Sequence, residues 1–180
     1  MTSNNHFDIN IRQATLRDNE LLATIGAETF YDSYAANTSP EDMAGYLSAS
    51  FGPEQQAAEL ANPLSRFFIA DIDGQVVGFV KVTFSNAPAG VIAKKSLGIA
   101  QLYTRKPWIG RGVGPRLMEW CLVEARTAGC DRVWLTVWEK NPRAIRFYTK
   151  WGFAEIGTEP FQFGQETQRD LVMIKRIYIR

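Results

Sequence analysis

Five residues, Gly110-Arg111-Gly112-Val113-Gly114, stand between a β-like run and the start of a helical pattern. The run before them, Ile99–Thr104, is rich in apolar and β-branched side chains, and a basic turn broken by Pro107 separates the two. Strand, glycine loop and helix start, in that order, suit a phosphate. Glycines let the backbone take positive φ and come close to a ligand. A helix N-terminus adds unpaired N–H groups and a partial positive charge. Arg105, Lys106 and Arg111 bring more positive charge. Pro115 fits a first helical turn, although it removes one donor from the cradle. The same residues also fit a tight turn with nothing bound, because short glycine motifs arise by chance.

Composition narrows the remaining chemistry. At 180 residues, 46% hydrophobic and 22% charged, the chain is long enough for one full core and ordinary for a single soluble domain over 1–180, with 1–7 a polar tail. A net charge of +1 gives no global field to draw in nucleic acid or a membrane surface. The only histidine is His6, in the tail, which argues against a Ser-His-Asp hydrolase or a histidine metal site, and no metal is expected. Cys121 and Cys130 make no disulfide framework and read as small core residues. The polar N-terminus has no apolar signal region and no run spans a membrane, so the expected location is cytoplasmic.

The elements that must position the loop follow from periodicity and caps. Residues 8–14 alternate as a strand, and residues 17–36 carry Leu21, Leu22, Ile25 and Phe30 at helical spacing. Ser39-Pro40-Glu41-Asp42 starts a helix that runs to Phe51; Gly52-Pro53 breaks it, and a further helical piece reaches Asn62-Pro63. Strands over 66–71 and 75–84 flank Asp73-Gly74, a strong hairpin signal. A loop over 85–96 is placed to line a substrate entrance. A helix over 115–128 has Leu117, Met118, Cys121, Leu122 and Ala125 as its apolar stripe and Gly129 as its cap. A strand over 132–138, a helix begun by Asn141-Pro142 and strands over 153–159 and 170–179 complete a mixed α/β order.

Two stretches together resemble a known family. IGRGVGPRLM resembles the Q/R-x-x-G-x-G/A coenzyme A loop of the GNAT superfamily of N-acetyltransferases, and VWEKNPRAIRFYTKWGF resembles its V-x-x-x-N-x-x-A-I-x-F-Y-x-x-x-G-F motif. ETFYDSYAANTSPEDMAGYLSASF and FQFGQETQRDLVM extend the likeness to PaiA-type bacterial acetyltransferases, a group linked to acetylation of polyamines such as spermidine. The resemblance implies the GNAT fold, with a twisted mixed sheet of about seven strands, splayed central strands and about four flanking helices. It implies acetyl-CoA as cosubstrate, with the pantetheine arm along Leu102, Tyr103 and Thr104 and the pyrophosphate on Ile109, Gly110, Arg111, Gly112, Val113 and Gly114. Asn141 matches the family asparagine that contacts the cofactor, and it is equally a helix N-cap. Tyr148 matches the tyrosine that protonates the departing thiolate, a task suited to a phenol with a reference pKa near ~10. By spacing alone Tyr148 is a core residue, since it shares a helical face with Ala144, Ile145 and Trp151.

One part of the family pattern is missing. PaiA-type strands before the loop read like L-E-I-E-R-I-Y-V, whereas this chain has Leu97-Gly98-Ile99-Ala100-Gln101-Leu102-Tyr103-Thr104, without either glutamate. An alkyl ammonium has a pKa near ~10, so a group must take its proton before attack. Glu28 and Asp32 on the first helix, with Tyr31 beside them, are the candidate substrate contacts, ahead of Glu41 and Asp42; a water chain is another route. The expected acceptor is a primary amine, with a polyamine as the first reading and a protein N-terminus, a lysine, an amino acid or an antibiotic amine as the alternative, selected by the first two helices and the 85–97 loop. A small apolar pocket of Tyr31, Tyr34, Phe84 and Trp108 would favour a compact amine. A non-catalytic acetyl-CoA binder is the rival from another class. Residues 170–179 read either as a homodimer interface or as an internal strand.

Overall fold

The computed structural model describes residues 7–178. His6 lies outside the described residues, as does Ile179. Strand β1 (Asn10–Gln13) leads through a 3-10 turn at Leu16–Asp18 into helix α1 (Asn19–Tyr34), followed by α2 (Pro40–Phe51) and α3 (Pro53–Ala61). Then come β2 (Ser65–Ile72), β3 (Gln75–Thr83), β4 (Ser96–Thr104), α4 (Val113–Thr127), β5 (Arg132–Trp138), α5 (Pro142–Lys150), β6 (Ala154–Phe163) and β7 (Glu166–Arg176). The seven strands form one sheet in the order β1-β2-β3-β4-β5-β7-β6. Among the described residues only β4 and β5 pair in parallel.

Local rules explain most boundaries. Ser39 Oγ accepts a hydrogen bond from the Asp42 N–H at 3.1 Å, and Pro40 occupies the first turn of α2. Gly52 ends α2 and, followed by Pro53, starts α3, so the helical piece after the break is a separate helix and the described residues hold five α-helices rather than about four. Asp73 and Gly74 both take positive φ, 52° and 79°, as a tight β2–β3 hairpin requires. Helix α4 starts two residues earlier than Pro115, because Gly112 at φ 91° turns the chain directly into it. The hairpin of β6 and β7 is longer than expected. It places β7 between β5 and β6, so the 170–179 segment is an internal strand as far as it is described.

The sheet is covered on both faces. Helix α4, with α5, packs on one face over Leu97, Ile99, Val133 and Leu135, and Cys121 and Cys130 lie in that core as free thiols. Burial pushes the Cys121 thiol up to about 12, which suits its reading as a packing residue. Helices α1, α2 and α3 cover the other face. Leu22 and Ile25 meet Phe67, Ile69 and Phe79, while Phe30, Met43 and Phe51 meet Phe163. Phe7, at the end of the polar segment, packs edge-on against Trp108 at 5.2 Å between ring centres. Among the described residues no helix is long and apolar enough to cross a membrane.

Asp18 fixes the entry of α1, the helix that roofs the site described below. Its carboxylate accepts hydrogen bonds from Arg12 Nη2 at 2.6 Å, Arg12 Nη1 at 3.0 Å and the Thr15 N–H at 2.7 Å, tying β1 to the first turn. The Arg12 guanidinium, followed by the Thr15 amide, holds its pKa down to about 2 against partial desolvation. A depressed folded pKa stabilises the fold above the ordinary carboxylate range, and the gain is lost as pH falls through about 2. Asp18→Asn is therefore expected to lower unfolding free energy at pH 7 by about 1–3 kcal/mol. Urea titrations of the two proteins should converge as the pH is lowered from 4 towards 2.

Candidate active site

The cleft is made by a pairing that stops. Strand β4 pairs with β5 only over Ser96–Ile99 against Arg132–Leu135, and beyond that point the two strands separate. On its other side β4 stays paired with β3 up to Gly78 and Thr104, with a register shift that leaves Ala100 without a partner on either neighbour. Residues Gln101–Thr104 therefore carry one edge of unpaired backbone groups facing α5, a template for an extended ligand. Strand β5 beyond Leu135 keeps its pairing with β7, through Thr136 opposite Val172 and Trp138 opposite Asp170.

Two cavities occupy the gap. The larger, about 540 Å³, runs from Leu102, Tyr103 and Thr104 to Ile109, Gly110, Gly112 and Gly114, with Phe147 and Tyr148 of α5 as its other wall. Gly110 and Gly112 have φ of 80° and 91°, so both need glycine. No side chain caps α4, which leaves the Val113 and Gly114 N–H groups at a bare N-terminus, as an anion requires. A Cβ on Gly114 would stand 3.7 Å from the Phe147 ring and 4.0 Å from Thr104 Oγ1, so α4, α5 and β4 converge on one space.

Not all the predicted cradle residues face this space. Val113 is fully buried in the core, and Arg111 turns away to lie over the rings of Trp108 and Phe7, at 5.4 and 5.8 Å. Residue 113 can offer its backbone amide, whereas the Arg111 N–H already donates to the Trp108 carbonyl at 3.2 Å and the Ile109 N–H to the Lys106 carbonyl at 3.3 Å. Arg105 is committed elsewhere, to the Val76 carbonyl at 2.9 Å and the Glu28 carboxylate at 3.0 Å.

The second cavity, about 200 Å³, lies on the face roofed by α1 and α2. Phe30, Ser33, Tyr34 and Tyr46 cover it, and Gln101, Tyr103, Trp138, Phe161, Phe163 and Asp170 line the sheet below. The cavities share Ser33, Leu102, Tyr103, Arg143, Ala144 and Tyr148, so they meet where α5 crosses the opened strands. Tyr148 is buried between Phe147 and Phe153, and burial drives its phenol further above its ordinary range. It is a proton donor at neutral pH. Asn141 Oδ1 accepts from the Ala144 N–H at 3.1 Å, which fixes the start of α5, and Tyr34 meets both the Asn141 side chain and Tyr103.

The expected substrate contacts lie elsewhere. Glu28 is paired with Arg105, Asp32 and Tyr31 are exposed, and none of the three lines either cavity. Tyr31 instead borders a shallow depression with Pro40 and Met43. Of the apolar quartet only Tyr34 reaches the cleft: Phe84 packs under the Arg66 guanidinium and Trp108 against Phe7. The loop after β3 is pinned to the sheet end through the Lys94 and Lys95 amides on Asp131, each at 3.1 Å, and lines neither cavity.

Asp170 escaped the sequence reading. It is the one carboxylate lining the second cavity; its Oδ1 is enclosed and has no hydrogen-bond partner among the described residues. Burial, with a smaller push from Glu159, raises its pKa to about 6. Strand parity was the available signal: Asp170 shares a face with Val172, which is buried, so an acid stands at an inward position.

Comparison with known proteins agrees with this geometry. Residues 27–153 match the sequence profile of the acetyltransferase (GNAT) family. An uncharacterised N-acetyltransferase of Lactobacillus delbrueckii subsp. lactis is 31% identical over 169 residues, 94% of this chain and 98% of its own. One from Mycobacterium tuberculosis is 30% identical over 162 residues, 90% and 99% of the two chains. Among solved structures, the PaiA N-acetyltransferase of Thermoplasma acidophilum in complex with coenzyme A has a TM-score of 0.78 at 22% identity, covering 94% of this chain and 99% of that one. At that identity the likeness is one of fold.

The absent strand glutamate has a steric counterpart. Gly98 sits opposite Trp134 in the β4–β5 pairing, and a Cβ there would stand 2.4 Å from the indole. Gly98→Ala is expected to destabilise the protein by about 1–3 kcal/mol through overpacking, read from the urea midpoint. Ala100→Ser, at an exposed position in the cleft, should leave the midpoint nearly unchanged.

Proposed function

This chain belongs to the acetyltransferase (GNAT) family and takes its acetyl group from acetyl-CoA, and we propose that it delivers that group to a primary amine by direct attack. The observation that carries the reading is the meeting of the two cavities at Tyr148. One is shaped for an anionic, extended cosubstrate and the other for a compact group bordered by aromatic rings.

In this reading the amides of Gly110, Gly112, Val113 and Gly114 hold the pyrophosphate, with the bare N-terminus of α4 supplying field as well as donors. The free edge of Leu102–Thr104 aligns the pantetheine arm. A strand amide near Leu102 or Tyr103 polarises the thioester carbonyl as negative charge develops on its oxygen. Asn141 holds the start of α5 and, through Tyr34, ties it to α1. Tyr148 gives its proton to the sulfur as the carbon–sulfur bond breaks. The likeness to PaiA-type sequences makes a polyamine the first acceptor to test.

The test is coenzyme A release from acetyl-CoA across spermidine, spermine, amino acids, short peptides and aminoglycosides. Saturable turnover on at least one amine is expected. Tight acetyl-CoA binding with no turnover on any would replace the enzyme reading by that of a binding module. Tyr148→Phe should lower kcat about 100-fold or more with little change in KM for acetyl-CoA; an unchanged kcat would remove Tyr148 from the reaction. Gly112→Ala, which forces a side chain into a left-handed backbone, should weaken acetyl-CoA binding about tenfold by calorimetry.

A further inference from the structure

We propose that Asp170, set among Tyr34, Tyr46, Trp138, Phe161 and Phe163, holds the acceptor's ammonium and takes its proton. The proposal rests on the amine reading above and names the group that replaces the missing strand carboxylates.

Neither strand position offers a carboxylate. At Gly98 the indole of Trp134 occupies the volume a side chain would need, and Ala100 carries no ionisable group. The acceptor cavity nevertheless contains a carboxylate, delivered from β7 through the register that sets Trp138 beside Asp170. Its Oδ1 is enclosed and unpartnered among the described residues, an arrangement that leaves a buried acceptor waiting for a donor. The surrounding rings complete a cation site: Tyr34 faces Trp138 at 6.0 Å between ring centres, and Tyr46 faces Phe163 at 4.9 Å. Aromatic faces attract an alkyl ammonium most strongly where water is excluded.

The neighbouring charges are compatible with that role. Glu159 on β6 lies beside Asp170 in the sheet, and Tyr34 of α1, Tyr46 of α2 and Tyr103 of β4 face the cavity as protonated phenols. Arg143 of α5 is the other charged residue lining it, and Arg169, next in sequence, is paired with Glu139. A carboxyl titrating at about 6 accepts a proton from an ammonium near ~10 less unfavourably than an ordinary carboxylate would, by roughly 100-fold in the equilibrium.

The step balances as follows. The ammonium gives one proton to Asp170, and the freed nitrogen lone pair forms the carbon–nitrogen bond at the thioester carbonyl. The tetrahedral adduct collapses with the carbon–sulfur electron pair leaving on sulfur. Tyr148 protonates the sulfur and recovers a proton from the nitrogen. Asp170 then releases its proton to solvent, so the products are the N-acetyl amine, coenzyme A thiol and one proton.

The deciding measurement is calorimetric titration of spermidine and of n-butylamine into the protein saturated with coenzyme A, at pH 7.5. Asp170→Asn is expected to weaken both by about tenfold or more, and to lower kcat/KM for the amine about 100-fold while KM for acetyl-CoA holds. The wild-type acid limb near pH 6 should vanish in the variant. Its Tm at pH 7.5 should equal or exceed that of the wild type. A raised folded pKa makes the charged carboxylate a destabilising group, whose burden grows as pH rises from about 4 through 6. Asp170→Ser provides the same comparison if the amide variant does not fold. Wild-type turnover with unchanged binding and rate in both variants overturns the proposal and leaves the amine reading standing. Absence of both turnover and amine binding in the wild type overturns the two together.

Discussion

The parallel pairing of β4 with β5 ends at Ile99 and Leu135, and the rest of the cleft depends on that ending. A parallel strand is ordinarily bonded on both edges and buried on both faces. Here β4 continues with β3 and β5 continues with β7, so the sheet divides into two halves joined by a four-residue ladder. The backbone groups released beyond the ladder must find water or a ligand. The bulge at Ala100 and the indole of Trp134 over Gly98 stand at the dividing point. Helix α4 rises from the β4 half and α5 from the β5 half, and their first turns close on the opened mouth.

The local parts of this design were legible because they are written in short-range chemistry. Asp73-Gly74 specifies its own hairpin, Ser39-Pro40 and Asn141-Pro142 specify helix starts, and the glycine loop announces its positive φ values. Tyr148 and Asn141 were found through a motif, and the fold brings both to the cleft. What spacing could not give was partner choice over long range. Glu28 looked free on its helix, yet the fold carries Arg105 to within 3.0 Å of it. Asp170 looked like the polar start of a terminal strand, yet β7 begins at residue 166 and its pairing with β6 and β5 puts that position inside the sheet. The early start of α4 at Val113 was hidden by Pro115, which is as welcome in the third position of a first turn as at its beginning.

The same long-range assembly sorts charge along the cleft. At one end the backbone donors of the glycine loop and the unsatisfied N-terminus of α4 favour negative charge. At the other end Asp170 is the carboxylate, held among aromatic rings. Between them lie Tyr34, Tyr103 and Tyr148, whose phenols burial keeps protonated. Such a middle zone is polar enough to orient a reacting carbonyl, with Arg143 as the charged side chain at its border, and its buried dipoles act at greater strength than in water.

This arrangement is costly to the empty protein. An enclosed carboxylate oxygen without a partner among the described residues, and a Gln101 Oε1 in the same condition, each leave a desolvation penalty of about 1–3 kcal/mol unreturned by protein hydrogen bonds. Hydrophobic substitution at either place would remove the penalty. The helices around the cavity bear that load. Phe30 stacks on Tyr46 at 4.5 Å, Phe51 fills the space left by Gly26, and Asp18 locks the start of α1 to β1. Asp170 itself is set by the ladders of β7 with β5 and β6, and these bring it to the same cavity as Tyr148.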